Sequence, residues 1–354
     1  MKKHNFSAGP CILPNEVLKK ASESVINFNN DNLSLIEISH RSKPFVEVME
    51  KAKDLVRELL NVPSDYSILF LQGGASLEFL MVPLNLMKKK GKAAYLNTGV
   101  WAKKAIKEAQ ELGEVSIVGD SSDMNFNYIP KNYTVSNDVD YFHCTSNNTI
   151  YGTQMKNFPS FQTHLVCDMS SDIFSRKIDI NKFDLIYAGA QKNMGPAGTT
   201  LVIVRNSILG KTGRIIPSML NYQTHIDSDS MFNTPPVFPI YVSMLTLQWL
   251  KNQGGVHAIE LKNIEKANLL YSEIDRNKLF IGTAKEEDRS NMNICFLLSD
   301  KSKKETFDKM WHAAGINGIN GHRSVGGYRA SVYNAMPIES VQILVEIMKK
   351  LEKN

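Results

Sequence analysis

The chain has 354 residues, of which 43% are hydrophobic, and this is enough for two globular domains that share an interface. No run approaches the roughly 20 apolar residues of a membrane span, and no apolar run follows the basic start MKKHNF. We therefore expect a cytoplasmic protein without a membrane partner. The net charge of +5 comes from scattered lysines, which argues against nucleic acid and favours an anionic small-molecule ligand.

The cysteines are far apart and form no CxxC pair, which argues against a zinc site or a disulfide framework. They are Cys11, Cys144, Cys167 and Cys295. We expect core or surface thiols in a reducing compartment, and no metal.

The first part of the chain predicts helices that flank a sheet. Residues 43 to 61 have apolar side chains at helical spacing, and residues 67 to 71 form a short apolar run that ends at a Gly-Gly loop. A second helix should start near Ser76, and Pro83 should kink it or end it early. Further short apolar runs predict the strands of a mostly parallel sheet, at residues 93–96, 115–118, 164–167, 185–188 and 200–204.

The rest of the chain predicts a helix through Trp249, another from about Val256, and then a mixed tail. The tail elements are strands at 293–298 and 328–333 and helices at 304–314 and 338–350. The predicted fold is therefore α/β, with a large domain over residues 13–256 and a smaller C-terminal α+β domain over 257–354. Residues 1–12 should form an arm that packs against the smaller domain.

Two residues at predicted strand ends have the chemistry of a cofactor site. Lys192 follows an apolar strand and lies among small residues, where a desolvated amine has a lowered pKa and can form a Schiff base. Asp168 ends the strand HLVCD, where ligands bind in open α/β sheets. An acid there could keep the ring nitrogen of a pyridoxal phosphate (PLP) cofactor protonated. The alternatives are a solvated surface lysine and a helix N-cap.

Other residues fit such a site less specifically. The backbone N–H groups of Ala75 and Ser76, in the loop GGAS, could hold a phosphate together with the helix dipole. Trp101 could stack on an aromatic ring or pack in the core. Thr149 could donate to the ring's phenolic oxygen or make only turn contacts.

In this order the segments resemble the phosphoserine aminotransferase family, which belongs to class V of the fold-type I PLP enzymes. The matching motifs span essentially the whole chain: NFSAGP, SHRSKPF, GGASLEF, NTGVW, YAGAQKNMGPAG, FNTPPVFPIY and GHRSVGGYRASVYNAMP. The resemblance implies a PLP-dependent transaminase that is a homodimer with active sites at the subunit interface.

The resemblance also implies roles for the cofactor residues. Lys192 would carry PLP as a Schiff base and shuttle the proton, and Asp168 would pair with the ring nitrogen. Trp101 would stack on the ring, and Thr149 would reach its phenolic oxygen. The phosphate would be held by Ala75, Ser76 and Gln191, and by Asn233 and Thr234 from the partner subunit.

On the substrate side, the resemblance implies cations for substrates with two anionic ends. Arg329 would clamp the α-carboxylate with its bidentate fork. The pairs His40-Arg41 and His322-Arg323 would take the phosphate or the glutamate side-chain carboxylate, one of them from across the dimer. Without the resemblance, such pairs would be surface or capping residues.

The reaction implied is amino transfer from L-glutamate to 3-phosphohydroxypyruvate, which gives O-phospho-L-serine and 2-oxoglutarate in serine biosynthesis. Whether 4-phosphohydroxythreonine, of pyridoxine biosynthesis, is a second substrate stays open. The alternatives are alanine–glyoxylate transamination, cysteine desulfuration and PLP binding without turnover. A desulfurase needs a mobile cysteine, and none of the four stands in a Gly/Ser-rich loop near the predicted site.

Overall fold

The computed structural model describes residues 3–353. Met1 and Lys2 of the predicted arm and Asn354 of the predicted C-terminal domain lie outside the described residues. The α-helices are α1 (Asn15–Ile26), α2 (Lys43–Leu60), α3 (Gly74–Leu86), α4 (Val100–Gln110), α5 (Tyr222–Asp227), α6 (Val237–Asn252), α7 (Gly255–Arg276), α8 (Lys304–Ala313) and α9 (Ile338–Lys353). No helix in this part of the chain is long and apolar enough to cross a membrane.

The strands form one large sheet and three small ones. They are β1 (His4–Asn5), β2 (Tyr66–Leu71), β3 (Lys92–Asn97), β4 (Glu114–Asp120), β5 (Tyr141–Thr145), β6 (Asn147–Asn148), β7 (Thr153–Gln154), β8 (Leu165–Asp168), β9 (Leu185–Gly189), β10 (Thr200–Arg205), β11 (Phe280–Gly282), β12 (Asn293–Leu298), β13 (Ile316–Asn317) and β14 (Tyr328–Ser331).

The large sheet has seven strands in the order β2-β10-β9-β8-β5-β3-β4. Strand β10 runs antiparallel to β2 and β9, and the other ladders are parallel, which confirms the predicted mostly parallel sheet. Its central strands are buried along almost their whole length because helices cover both faces. The carboxyl ends of β5, β8 and β9 therefore meet at one edge, where a ligand site is expected.

A second hydrophobic core lies in the C-terminal part of the chain. It packs α8, α9 and the second half of α7 against the three-stranded sheet β11-β12-β14. Phe6 of the N-terminal segment is buried in this core, and β1 pairs with β13. Helix α7 contributes Val256 and Ile259 to the main core and Leu270 to the second. The division of the chain into two domains near residue 256 stays our proposal.

Most predicted elements agree with the structure to within a few residues. Helix α2 and strand β12 lie where the sequence placed them. Of the two alternatives predicted at Pro83, a kink or an early end, the early end is wrong, because α3 continues to Leu86 and the N–H of Met87 donates to the Pro83 carbonyl at 3.0 Å. The sequence interpretation also missed the central strand β5, in which His143 is buried within the apolar run.

Candidate active site

A cleft opens at the carboxyl ends of the central strands, as expected for an open α/β sheet. It brings together most of the predicted cofactor residues, although they come from five separate segments of the chain. The predicted residues that line it are Ala75, Ser76, Trp101, Thr149, Asp168, Gln191 and Lys192.

Lys192 follows β9 and extends its amine into the cleft. Its Nζ donates a hydrogen bond to Thr149 Oγ1 at 2.7 Å. Burial lowers the pKa of Lys192 from 10.5 to about 8, while the charge of Asp168 opposes this shift and that of Arg329 adds to it. About a tenth of this amine is therefore unprotonated at pH 7, far more than for an ordinary lysine, and the unprotonated amine is the state that attacks a carbonyl carbon.

Asp168 is the last residue of β8, and only 5% of it is exposed. Its Oδ1 accepts hydrogen bonds from the backbone N–H of Ser170 at 2.9 Å and from Ser170 Oγ at 2.6 Å. Burial raises the pKa of Asp168, and these hydrogen bonds and the Lys192 charge lower it part of the way. The carboxylate is thus oriented by Ser170 and has a second oxygen toward which a protonated ring nitrogen could donate.

The loop before α3 has the form of an anion site. Gly73 and Gly74 have φ angles of +93° and +66°, which favour glycine, and a Cβ at Gly74 would meet no atom within 4 Å. Ala75 and Ser76 follow in the first turn of the 13-residue helix α3, and both line the cleft. Free N–H groups and the positive end of the helix dipole therefore face the cleft.

Two polar atoms at the cleft remain without a partner. Trp101 Nε1 and Thr145 Oγ1 are buried and have no hydrogen-bond partner among residues 3–353. Burying a polar atom unpaired is unfavourable, so such atoms at a cleft indicate a missing bound group. With the amine, the carboxylate and the anion loop, the site fits a phosphorylated aromatic aldehyde.

Several site residues escaped the sequence interpretation. Ser170, Ser171 and Asn147 line the cleft, and only the Ser170–Asp168 spacing of two residues, typical of an Asx turn, could have indicated one of them. A cysteine beside Lys192 also escaped the sequence interpretation. The Cys11 thiol donates a hydrogen bond to the Lys192 carbonyl, with an Sγ···O distance of 2.6 Å, and burial raises the pKa of this thiol to about 12.

The substrate residues are brought together only in part. Arg329, on β14, donates to the Thr149 carbonyl at 3.3 Å and so lies at the edge of the cleft. Partial burial and the charges of Arg329 and Arg323 lower the pKa of His322, so this imidazole lies within reach of both guanidinium charges. His40 and Arg41 do not line the cleft, and Arg41 is exposed.

Asn233 and Thr234 also lie outside the cleft of their own chain. Both are exposed, and the Thr234 carbonyl accepts a hydrogen bond from Gln72 Nε2 at 2.8 Å. Their neighbour Phe232 is an apolar residue that is 44% exposed. The structure therefore places this segment on the surface of the chain.

Fold and site together define a PLP-dependent aminotransferase. Residues 3–344 match the model of the family described as aminotransferase class-V, to which the chain belongs. Over 99% of both chains it is 68% identical to the phosphoserine aminotransferase of Flavobacterium psychrophilum.

The chain is also similar to solved structures of phosphoserine aminotransferases. The chain is similar to the phosphoserine aminotransferase from Bacillus circulans subsp. alkalophilus, with a TM-score of 0.96 and 41% identity over 99% of each chain. It is also similar to the PLP-bound phosphoserine aminotransferase from Trichomonas vaginalis, with a TM-score of 0.93 and 36% identity over 98% of this chain and all of that one.

Proposed function

We propose that the protein catalyses the reversible transfer of the amino group of L-glutamate to 3-phosphohydroxypyruvate, giving 2-oxoglutarate and O-phospho-L-serine. The observation that carries this proposal is the Lys192 amine, which has a lowered pKa and lies in one cleft with Asp168. The full-length similarity to phosphoserine aminotransferases supports the choice of substrates.

The residues that would hold PLP follow from the cleft. Lys192 would bind its aldehyde carbon, Asp168 its ring nitrogen and Thr149 its phenolic oxygen. The N–H groups of Ala75 and Ser76, with Gln191, would hold the phosphate, and Trp101 would cover the ring face. When bound, the cofactor supplies an electron sink for the bonds at the substrate Cα.

The side chains of this protein then have separate tasks. Lys192 Nζ is the base that would take the proton from Cα of the amino donor, because its lowered pKa raises the share of unprotonated amine near neutral pH. Asp168 would hold the proton on the ring nitrogen, and Ser170 fixes the direction of its carboxylate. Thr149 keeps the amine inside the cleft.

The substrate's two anionic ends require two cationic sites. Arg329 lies at the cleft edge, where its fork would bind the α-carboxylate. His322 and Arg323 lie near it and would bind the distal phosphate or carboxylate. His40 and Arg41 would act in the cleft of a partner subunit, as would Asn233 and Thr234, so the active enzyme would be a homodimer.

The chemistry of Cys11 argues against cysteine desulfuration. Although it lies beside Lys192, its thiol donates to a backbone carbonyl, and burial raises its pKa to about 12. It is therefore a protonated thiol at neutral pH and a poor nucleophile. Alanine as donor would leave the cations at the second anionic end without a partner.

The decisive experiment is to add O-phospho-L-serine alone to the cofactor-loaded enzyme and follow its visible absorbance. We expect rapid bleaching, because this reverse half-reaction needs no second substrate. Lys192→Ala is the matched control and should show no turnover. Bleaching by L-alanine or L-cysteine but not by O-phosphoserine or glutamate would refute the proposed substrates. No response to any amino acid would indicate PLP binding without turnover.

A further inference from the structure

A buried hydrogen-bond network, unused by the mechanism above, connects the cleft with the C-terminal part of the chain. It begins at Asn147, which lines the cleft and is 2% exposed. Asn147 Nδ2 donates to Ser171 Oγ at 2.9 Å and to Asn293 Oδ1 at 2.8 Å. Its Oδ1 accepts from Ser290 Oγ at 2.5 Å. Both amide hydrogens and the amide oxygen are therefore paired.

Asn293, at the start of β12, extends the network to Tyr333. Its Nδ2 donates to Ser331 Oγ at 3.0 Å and to Tyr333 Oη at 3.1 Å. The Tyr333 hydroxyl in turn donates to the Ala8 carbonyl at 2.7 Å. The side chains of Asn293, Ser331 and Tyr333 are fully buried and neutral. Such a network holds one geometry, because each broken bond leaves a buried polar atom unpaired.

The far end of this network reaches the backbone beside Lys192. Ala8 precedes Gly9, and a Cβ at Gly9 would lie 3.5 Å from Lys192 Cγ and 3.7 Å from Lys192 Cε. Two residues later, the Cys11 N–H donates to the Gln191 carbonyl at 3.1 Å. Residues 8–11 therefore lie along the aliphatic part of the lysine side chain.

We propose that Asn293 and Tyr333 are positioning residues for Lys192. They hold residues 8–11 against the aliphatic part of the Lys192 side chain. This packing keeps Lys192 Nζ in hydrogen-bond contact with Thr149. A lysine side chain has four flexible carbons. Without the packing of residues 8–11, the amine would therefore sample positions in which it cannot reach the reacting atom. This inference rests on the proposed function, since Lys192 must be the residue that moves the proton.

The test compares Tyr333→Phe with the wild-type enzyme in two measurements. Hydrogen–deuterium exchange of residues 3–12 reports how firmly the segment is held, and steady-state kinetics give kcat and KM for L-glutamate. We expect exchange to be about tenfold faster and kcat to fall about tenfold. KM should change less than about twofold, because Arg329 is held by the β12–β14 ladder and not by Tyr333.

Tyr66→Phe is the matched control. Tyr66 is also buried, and its hydroxyl also donates to a backbone carbonyl, that of Phe183, at 2.7 Å. It lies in the main core away from the cleft, so its loss should leave the exchange of residues 3–12 and kcat unchanged. An equal effect of both variants would show general destabilisation and would overturn the proposal.

The remaining outcomes are also decisive. Unchanged exchange of residues 3–12 in Tyr333→Phe, or faster exchange with an unchanged kcat, would overturn the positioning role. If Tyr333→Phe fails to fold, Gly9→Ala disturbs the same segment, because Gly9 has a φ of +146°, which alanine rarely adopts. It should lower kcat at constant KM, and an unchanged kcat would refute the proposal. Failure of the proposed function is distinguishable, because the wild-type enzyme itself would then not transaminate glutamate.

Discussion

The cofactor cleft and the cationic substrate region differ in how much of each lies within one chain. In the cleft, Lys192, Thr149 and Asp168 are already oriented by hydrogen bonds within the chain. In the substrate region, Arg323 and Arg41 are exposed, and Arg41 is not at the cleft. A site that performs bond chemistry benefits from a rigid, buried scaffold, whereas a site that binds a hydrated anion must remain open to it.

The strongest test of this comparison is Asp168→Asn, which keeps the size of a buried side chain and removes its charge. We expect kcat to fall by about 100-fold to 1,000-fold, because the ring nitrogen would lose the anion that stabilises its proton. Steady-state transamination of glutamate measures this. Asp184→Asn is the control, since Asp184 pairs with Arg205 away from the cleft. A kcat within about twofold of wild type for Asp168→Asn would contradict the assigned role.

A second test uses the lowered pKa of Lys192 in the enzyme without cofactor. At pH 8 about half of this amine is unprotonated, against roughly 0.3% for a lysine with the ordinary value of 10.5. Acetylation of Lys192 by a trace of acetic anhydride, followed by mass spectrometry, should therefore rise with pH to a midpoint near 8, because this reagent attacks only the unprotonated amine. A midpoint above 10 would show that the amine is not desolvated in the cleft.

The third test concerns the cationic substrate region and has the smallest expected effect. Arg41→Gln and Arg323→Gln should each raise KM for 3-phosphohydroxypyruvate about tenfold, because each removes a charge-assisted hydrogen bond to the anion. The kcat should change little, since neither residue touches the reacting atoms. A KM unchanged in both variants would refute the predicted anion site.

Mixed dimers then show from which subunit Arg41 acts. In a hybrid of Lys192→Ala and Arg41→Gln subunits, one cleft would combine the intact Lys192 of one chain with the intact Arg41 of the other. Random mixing should therefore restore the wild-type KM in about a quarter of all sites. If Arg41 served its own cleft, no site with the wild-type KM would form.

The elements with clear periodicity or unbroken apolar runs could be predicted, and those with buried polar residues could not. Helix α2 has apolar residues at helical spacing, and β9 and β10 are apolar runs, so each matches its prediction closely. Strand β5 was missed because it contains His143. That imidazole is buried with its Nε2 paired to Tyr187 Oη at 2.8 Å, on a strand more than 40 residues away.

By itself, the sequence determined that Lys192 and Asp168 would lie at one edge of the sheet. Lys192 and Asp168 follow buried strands, and parallel strands deliver the residues at their carboxyl ends to one edge. Only the tertiary structure placed Cys11 and Gly9 on Lys192, and joined Asn147 to Tyr333 through Asn293. These contacts connect residues far apart in the chain through single hydrogen bonds, and such pairs leave no periodicity that a sequence could display.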